Sequence, residues 1–192
     1  MTHAIASPGT SPNGLVAVAA GGVLSGLLTP WCPQLIDRIG AVPGNLGIAL
    51  VAVPFAVLVF IVVRWASANP WWAALLASIV TMVAFAAAVN AAVFIDGQLV
   101  SATRVGRNAL AGLAAGFVGA GIMALGIALL PAGPRNRMAR LPMLIVGTVT
   151  GGLLALDNAL NLDLTSVLYP VWQACVAVGL ATALRARDDR PG

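Results

Sequence analysis

The chain contains no lysine and no glutamate, and its single histidine is His3. The residues that most often act as general acids and bases are therefore nearly absent, and Ser25 and Ser78 have no histidine partner for a nucleophile pair. His3, Cys32 and Cys175 are too scattered in sequence to form a metal-ligand set. We expect no enzyme, no cofactor and no bound metal, with an aspartate-based enzyme as the less favoured alternative.

Charge is also scarce. Charged residues make up 8% of the chain and hydrophobic residues 60%, whereas soluble domains are about a quarter charged and about half apolar. The net charge of +4 comes from ten arginines at the ends of apolar runs, without the interleaved aromatic residues of a nucleic-acid surface. The composition therefore indicates an integral membrane protein that does not bind nucleic acid.

Apolar runs of about one bilayer thickness recur along the chain and are separated by short polar connectors. Because about 20 apolar residues are needed for a helix to cross the hydrocarbon core, the sequence predicts an all-α fold, a polytopic bundle of about six transmembrane helices. Pro54 should kink the second of them. The predicted spans are residues 14–29, 46–63, 71–95, 110–130, 141–156 and 167–184.

The domain organisation predicted from this pattern is simple. Residues 14–184 form a single transmembrane helical domain. Residues 1–13 have almost no apolar surface to bury and are predicted to be a disordered N-terminal tail. Residues 185–192 form a polar C-terminal tail.

The first and fifth predicted spans are short and glycine-rich. Sixteen residues at 1.5 Å each reach only about 24 Å, less than the thickness of the hydrocarbon core. Gly22 and Gly26 are four positions apart, as are Gly147 and Gly151, and such small-residue pairs let another helix backbone approach closely. The fourth span carries a similar stripe that begins at Gly112. We predict helix-packing faces here, with internal duplication as an alternative explanation of the repeated spacing.

The arginines predict the orientation of the bundle. If the spans alternate in direction, seven arginines lie on one side and Arg38, Arg104 and Arg107 on the other. Since cytoplasmic loops carry the excess of arginine, both termini are expected in the cytoplasm and the protein in the inner membrane. The seven are Arg64, Arg135, Arg137, Arg140, Arg185, Arg187 and Arg190.

Polar residues near the span ends are the candidates for a polar pathway or ion contact: Asn90, Asp96, Asp157 and Asn161. Asp157 and Asn161 would share a face of a continuing helix, where their oxygens could bind a hard cation or relay protons. Alternatively they belong to a solvated outer loop and stabilise its turns, which we favour. For Asn90, and for Gln173 in the sixth span, a hydrogen bond to a neighbouring helix is the favoured interpretation.

Two groups of arginines are candidate contacts for anions. Arg135, Arg137 and Arg140 follow the fourth span and are expected to contact anionic lipid headgroups, at about 1 kcal/mol each. On the opposite side, Arg104 and Arg107 could bind anionic groups, pair with nearby aspartates, or remain exposed charges of little energetic weight.

Two hypotheses for function follow. The first is a small transporter or channel for an ion or small solute, based on the short glycine-interrupted spans, the kinked second helix and the aspartates near span ends. The second is a non-catalytic accessory or assembly subunit of a larger membrane complex, based on the packing faces and the lack of charge within the spans. The expected partners are the lipid bilayer and either further copies of the chain or a larger membrane protein.

Overall fold

The structure, a computed structural model, describes residues 12–40, 42, 44–134, 136–162 and 165–185. Within these ranges the regular structure is entirely helical. Most of both predicted tails lies outside the described residues. The α-helices are α1 (Pro12–Leu28), α2 (Cys32–Ile39), α3 (Gly44–Val51), α4 (Val53–Ala66), α5 (Trp71–Gln98), α6 (Arg104–Ala128), α7 (Leu141–Gly151), α8 (Leu154–Leu160) and α9 (Leu168–Arg185), with 3-10 helices at Thr29–Trp31 and Arg137–Ala139.

Several of these helices are long and apolar enough to cross a membrane. Four continuous stretches qualify by length and composition, and the bent pair of α3 and α4 makes a fifth. The prediction of an all-helical chain with several spans is thereby confirmed, but the count of six is not. Helix α9 is the sixth predicted span and falls outside the set, because Tyr169, Gln173 and Arg185 lower its mean hydropathy. The four stretches are Asn13–Arg38, Trp71–Gln98, Arg104–Ala128 and Arg137–Leu160.

The first and fifth spans are longer than the sequence predicted. The stretch that contains the first predicted span, Asn13–Arg38, has 26 residues, and the one that contains the fifth, Arg137–Leu160, has 24. The prediction ended the first span at Pro30, but Pro30 and Pro33 each occupy the first turn of the next helical segment. At that position the missing N–H of proline is not needed for an intrahelical hydrogen bond, so the chain stays helical.

The kink predicted at Pro54 is present. Helices α3 and α4 meet at an angle of 55°, and Pro54 lies in the first turn of α4. The two pieces remain joined, because Ala52 N–H donates to the Ala49 carbonyl and the Ala52 carbonyl accepts from Ala56 N–H.

Consecutive long helices run antiparallel. At one end of the bundle Asp96 of α5 pairs with Arg107 of α6, and we call this the mouth end. At the other end, Ala132 N–H after α6 donates to the side chain of Asn69 before α5, and Arg140 donates to the Ala124 carbonyl. We call this the Arg140 end, and the described chain both begins and finishes there.

The glycines of α6 and α7 allow these two backbones to touch. A Cβ atom at Gly116 would lie 2.3 Å from the carbonyl oxygen of Gly147, and one at Gly151 would lie 2.3 Å from the carbonyl oxygen of Gly112. Any side chain larger than hydrogen would therefore push the helices apart. The prediction that these glycines form a packing face is confirmed.

Helices α1 and α9 use the same device. A Cβ atom at Gly22 would lie 2.4 Å from the Cα of Ala174, and one at Gly26 would lie 2.3 Å from the Cα of Pro170. The two predicted Gly-x-x-x-Gly pairs thus both hold a helix against a partner backbone. This close approach brings α9 into contact with α1, α4 and α7.

Candidate functional site

A polar cavity of about 340 Å³ lies at the mouth end, between α5, α6 and α8. We call it the polar mouth. Its polar walls come from three helices, and Ala92, Val93 and Leu154 complete them together with Ala111. The polar residues that line it are Asp96, Arg104, Arg107, Asn108 and Asn158.

An apolar cavity of about 220 Å³ adjoins the polar mouth deeper in the bundle. The two cavities share Ala92, Val93 and Leu154 as wall residues. We call this second space the apolar cavity. Its other walls are small, aliphatic or aromatic residues of α5, α6, α7 and α9: Phe85, Ala88, Val89, Gly112, Ala115, Gly116, Gly151, Leu168, Tyr169 and Trp172.

The polar mouth exists because α6 starts beside the last turn of α5. The side chain of Thr103 caps α6 by accepting from Gly106 N–H. The cap fixes the first turn, from which Arg104 and Arg107 project three positions apart on one side of the helix. Asp96 in the last turn of α5 faces this turn.

The charge of the polar mouth is net positive. Arg107 Nε lies 2.7 Å from Asp96 Oδ1, and the two side chains are 28% and 46% exposed. In the described part of the chain, Arg104 has no carboxylate within 4.0 Å. Among the described residues, one of the two arginines is therefore paired with a carboxylate and the other is not.

The apolar cavity forms where small residues of neighbouring helices leave space, and three aromatic rings, those of Phe85, Tyr169 and Trp172, line it. The rings of Phe85 and Tyr169 lie with their centroids 6.1 Å apart. The Trp172 indole N–H donates to the Gly147 carbonyl at 2.9 Å, so the polar atom of the ring is satisfied within the protein. The cavity therefore offers mainly apolar contact surface.

The bundle is closed beyond this cavity. Toward the Arg140 end, the side chains of Met143, Val176 and Leu180 are completely buried. Gly179 packs directly on Met143, where a Cβ would lie 3.0 Å from the Met143 Cβ. The space between α7 and α9 is thus filled by side chains in this conformation.

Asp157 lies apart from both cavities, buried at the start of α9. Its carboxylate accepts hydrogen bonds from the Ser166 hydroxyl, from Val167 N–H at 2.9 Å and from Leu168 N–H at 3.3 Å. Carboxylates are stabilised at helix N-termini by the free N–H groups and the helix dipole. Asp157 therefore caps α9 from the neighbouring α8.

Asn161 does not face the same way as Asp157. It ends α8 in the left-handed conformation, with φ 51°, and its N–H donates to the Asp157 carbonyl. Asparagine adopts this conformation more readily than most residues, and it often closes helices. This local geometry is that of a turn. The favoured interpretation also placed Asp157 in a solvated loop, and that part is wrong, because Asp157 lies in α8 and is buried. Asp163, which follows in the same loop, lies outside the described residues.

Both span amides bond to neighbouring helices, as the sequence analysis favoured. Asn90 donates to the Asn45 side chain at 3.0 Å and so ties α5 to α3. Gln173 is buried and accepts from the Ser25 hydroxyl at 2.6 Å, while its own NH₂ donates to the Thr29 hydroxyl at 2.8 Å. The amide of Gln173 thus joins α9 to α1 and its extension.

Two of the predicted lipid-contact arginines, Arg137 and Arg140, lie at the Arg140 end, away from the cavities. Arg135 is outside the described residues. Arg137 is exposed, and Arg140 is half-buried with Nη1 donating to the Ala124 carbonyl at 3.2 Å. Their contact with lipid headgroups stays a prediction.

Sequence reasoning missed a cluster of hydrogen bonds around Asn69 at the Arg140 end. Asn69 is fully buried; its NH₂ donates to the Ser67 hydroxyl at 2.8 Å, and its side-chain oxygen accepts from Ala132 N–H at 2.8 Å. The Asn69 carbonyl also accepts from Arg64. The Asn-Pro dipeptide before α5 indicated only a turn.

Sequence reasoning also missed the convergence of Phe85, Tyr169 and Trp172, because it depends on the packing of distant helices.

The described residues form a helical bundle with four or five stretches long and apolar enough to cross a membrane, and a ligand-sized space lies between the helices. No protein-family model matches the chain, and no curated protein and no solved structure matches it at a significant level. Function must therefore be argued from the site itself. Within the described ranges no group of three or more His, Cys, Asp or Glu residues could hold a metal ion.

Proposed function

We propose that this chain is a multi-pass protein of the inner membrane that transports a small solute, with both termini in the cytoplasm. The observation that carries the proposal is the polar mouth and its adjoining apolar cavity inside the helical bundle. Binding sites for small molecules are concave and mostly apolar, with a few polar groups that orient the ligand, and in transporters they lie between helices. In the proposed orientation the mouth end faces outward.

The arginine distribution supports this orientation. Arg38 in α2 and Arg104 and Arg107 at the start of α6 lie at the mouth end. The other described arginines, at the Arg140 end, are Arg64, Arg137, Arg140 and Arg185. The described arginines divide four to three, and the sequence-based count over all ten is seven to three. The arginine-rich end is the cytoplasmic one in most membrane proteins.

The chemistry of the site favours an organic solute over a bare ion. A conducted ion needs oxygen ligands that replace its hydration shell. Asp157 is engaged with Ser166 and the backbone of α9, and Asp96 is paired with Arg107. The walls of the apolar cavity offer almost no oxygen ligand, so a hydrated ion would lose solvation there without replacement.

The breaks in two spans supply the places where a transporter could open. Leu154 lines both cavities and starts α8 directly after the interruption at Gly152 and Leu153. The second break is the 55° bend between α3 and α4. Broken helices at membrane depth are typical of transporter binding sites.

A non-transporting accessory subunit is the second candidate. The observation that favours it is the closure beyond Trp172, where Met143, Val176 and Leu180 are completely buried. Such a protein would use the cavities to bind a ligand or lipid without moving it across the membrane.

Flux through purified protein in liposomes tests the proposal. The panel contains benzenesulfonate, benzyltrimethylammonium, potassium and protons. We expect flux of at least one organic solute above that of empty liposomes. Arg107→Gln should lose most of this flux, whereas Asp37→Asn should keep all of it. Asp37 is the matched control because it is exposed near the mouth end and lines neither cavity. Flux equal to that of empty liposomes for every solute would favour the accessory subunit.

A further inference from the structure

We infer that the polar mouth and the apolar cavity bind one small amphipathic anion, with its anionic group at Arg104 and Arg107 and its ring or short alkyl group among Phe85, Tyr169 and Trp172. The inference names the substrate class of the proposed transporter and rests on that proposal for its physiological meaning. The binding itself requires no transport.

The charge of the polar mouth selects the head group. Each guanidinium carries five N–H donors in a fixed fork that matches carboxylate, sulfonate and phosphate oxygens. Asp96 pairs with Arg107, and Arg104 has no carboxylate within 4.0 Å in the described part of the chain. The N-terminus of α6 lies at the same place and adds partial positive charge. An anion is attracted here and a cation is repelled.

The size and walls of the apolar cavity select the tail. At about 220 Å³ it exceeds the roughly 150 Å³ of an engineered cavity that binds benzene. One aromatic ring or a short chain therefore fits. Because the Trp172 N–H is already bonded to the Gly147 carbonyl, the indole offers a polar tail no hydrogen bond in exchange for those it would lose to water.

The adjacency of the two cavities requires both properties in one molecule. Ala92, Val93 and Leu154 line both spaces, so the two cavities adjoin along these three residues, and a molecule that spans them has its head in the polar mouth and its tail in the apolar cavity. A head group alone, or an apolar ring alone, would fill only half of the site.

Isothermal titration of the detergent-purified full-length protein tests the inference with four probes. Benzenesulfonate has both parts, benzenesulfonamide is its neutral analogue, benzyltrimethylammonium carries the opposite charge, and methanesulfonate lacks the ring. We expect benzenesulfonate to bind at least about tenfold more tightly than each of the others, since charge-assisted hydrogen bonds are about twice as strong as neutral ones. Equal affinity for the anion and its neutral analogue would overturn the inference.

Matched variants locate the binding. Arg104→Gln and Arg107→Gln should each weaken benzenesulfonate binding by about tenfold, whereas Arg38→Gln, at the same end but outside both cavities, should not. Ala115→Leu fills the apolar cavity and should abolish binding. Ala114→Leu, one position along α6 and outside the cavity wall, should leave it intact. Arg104 is exposed, so Arg104→Gln should fold even if Arg107→Gln and Ala115→Leu do not. Unchanged benzenesulfonate binding in Arg104→Gln and in either Arg107→Gln or Ala115→Leu would contradict the inference.

Anionic phospholipids carry the same chemistry, so the source of the ligand must be separated from its class. Nanodiscs of phosphatidylcholine with and without phosphatidylglycerol distinguish the two. Competition by phosphatidylglycerol that disappears in Arg104→Gln assigns the site to a lipid headgroup, and no competition assigns it to a free solute. Either result supports anion binding. Binding of benzenesulfonate without flux would support this inference and contradict transport. Flux that is unchanged in Arg104→Gln and Arg107→Gln would support transport and contradict this inference.

Discussion

Asp157 illustrates how this chain accommodates a carboxylate near the membrane. Its two oxygens are engaged by the Ser166 hydroxyl and by two backbone N–H groups at the start of α9. Those N–H groups have no partner within the helix and would otherwise be buried unbonded. The aspartate and the helix terminus thus satisfy each other, so the charge needs no cation.

Replacing Asp157 with asparagine should lower the free energy of unfolding. The change converts one acceptor oxygen into a donor, which leaves either Ser166 or a backbone N–H of α9 without its bond. Unsatisfied buried groups cost about 1–3 kcal/mol. Thermal unfolding in detergent measures the effect, with exposed Asp37→Asn as the control. If stability were unchanged and cation flux disappeared, Asp157 would be an ion ligand rather than a cap.

At the residue scale, the sequence predicted the type of interaction better than the partner. It indicated that Gln173 would bond a neighbouring helix and that Arg107 could pair with an aspartate, and both statements hold. It did not identify Ser25 and Thr29 as the partners of Gln173. These residues are 148 and 144 positions away in sequence, and only the packing of α1 on α9 brings them together.

At the scale of elements, the glycines of α6 differ in what they do. Gly116 lies against the backbone of α7, but Gly121 on the same helix has room, since the nearest atom to an added Cβ would be a Leu144 methyl at 3.8 Å. The sequence shows one stripe of small residues. The structure separates those that set the helix distance from those that only lie near it.

Gly116→Ala should destabilise the bundle and Gly121→Ala should not. The added methyl at Gly116 would meet the Gly147 carbonyl at 2.3 Å, which forces α6 and α7 apart, and overpacking of this kind costs about 1–3 kcal/mol. At Gly121 the methyl meets no obstacle and alanine is the better helix former. The midpoint of thermal unfolding compares the two variants. Equal midpoints would mean that α6 and α7 do not pack through these glycines.

Helix ends were the least predictable elements. The apolar runs located every long helix, because each needs apolar surface toward lipid or core. Pro30 and Pro33 were interpreted as ending the first span, yet each lies in the first turn of a helical segment. A proline can end one helix or lie in the first turn of the next, and the apolar pattern alone does not distinguish these cases.

At the scale of the whole molecule, the candidate site is a product of topology. Asp96, Arg107 and Asn158 come from α5, α6 and α8, and the apolar cavity adds residues from α9. Sequence analysis identified Asp96 and the two nearby arginines as candidates, since polar residues at span ends are conspicuous. The apolar cavity left no such signal, because alanines, glycines and aromatics occur throughout the spans.

The central claim is that the polar mouth opens to the outside and attracts anions. Chemical labelling in intact cells tests it directly, using Asn158→Cys in a chain whose Cys32 and Cys175 are replaced by alanine. Asp37→Cys, exposed near the same end, is the reference for the intrinsic reactivity of each reagent. The reagents are membrane-impermeant methanethiosulfonates that carry either a sulfonate or a trimethylammonium group.

Relative to the reference cysteine, we predict that the cysteine in the mouth reacts faster with the sulfonate reagent than with the cationic one, because Arg104 and Arg107 raise the local concentration of anions. Benzenesulfonate should protect it. Labelling that requires permeabilised cells would contradict the orientation. The same reagent preference at both positions, without protection, would contradict an anion site in the polar mouth.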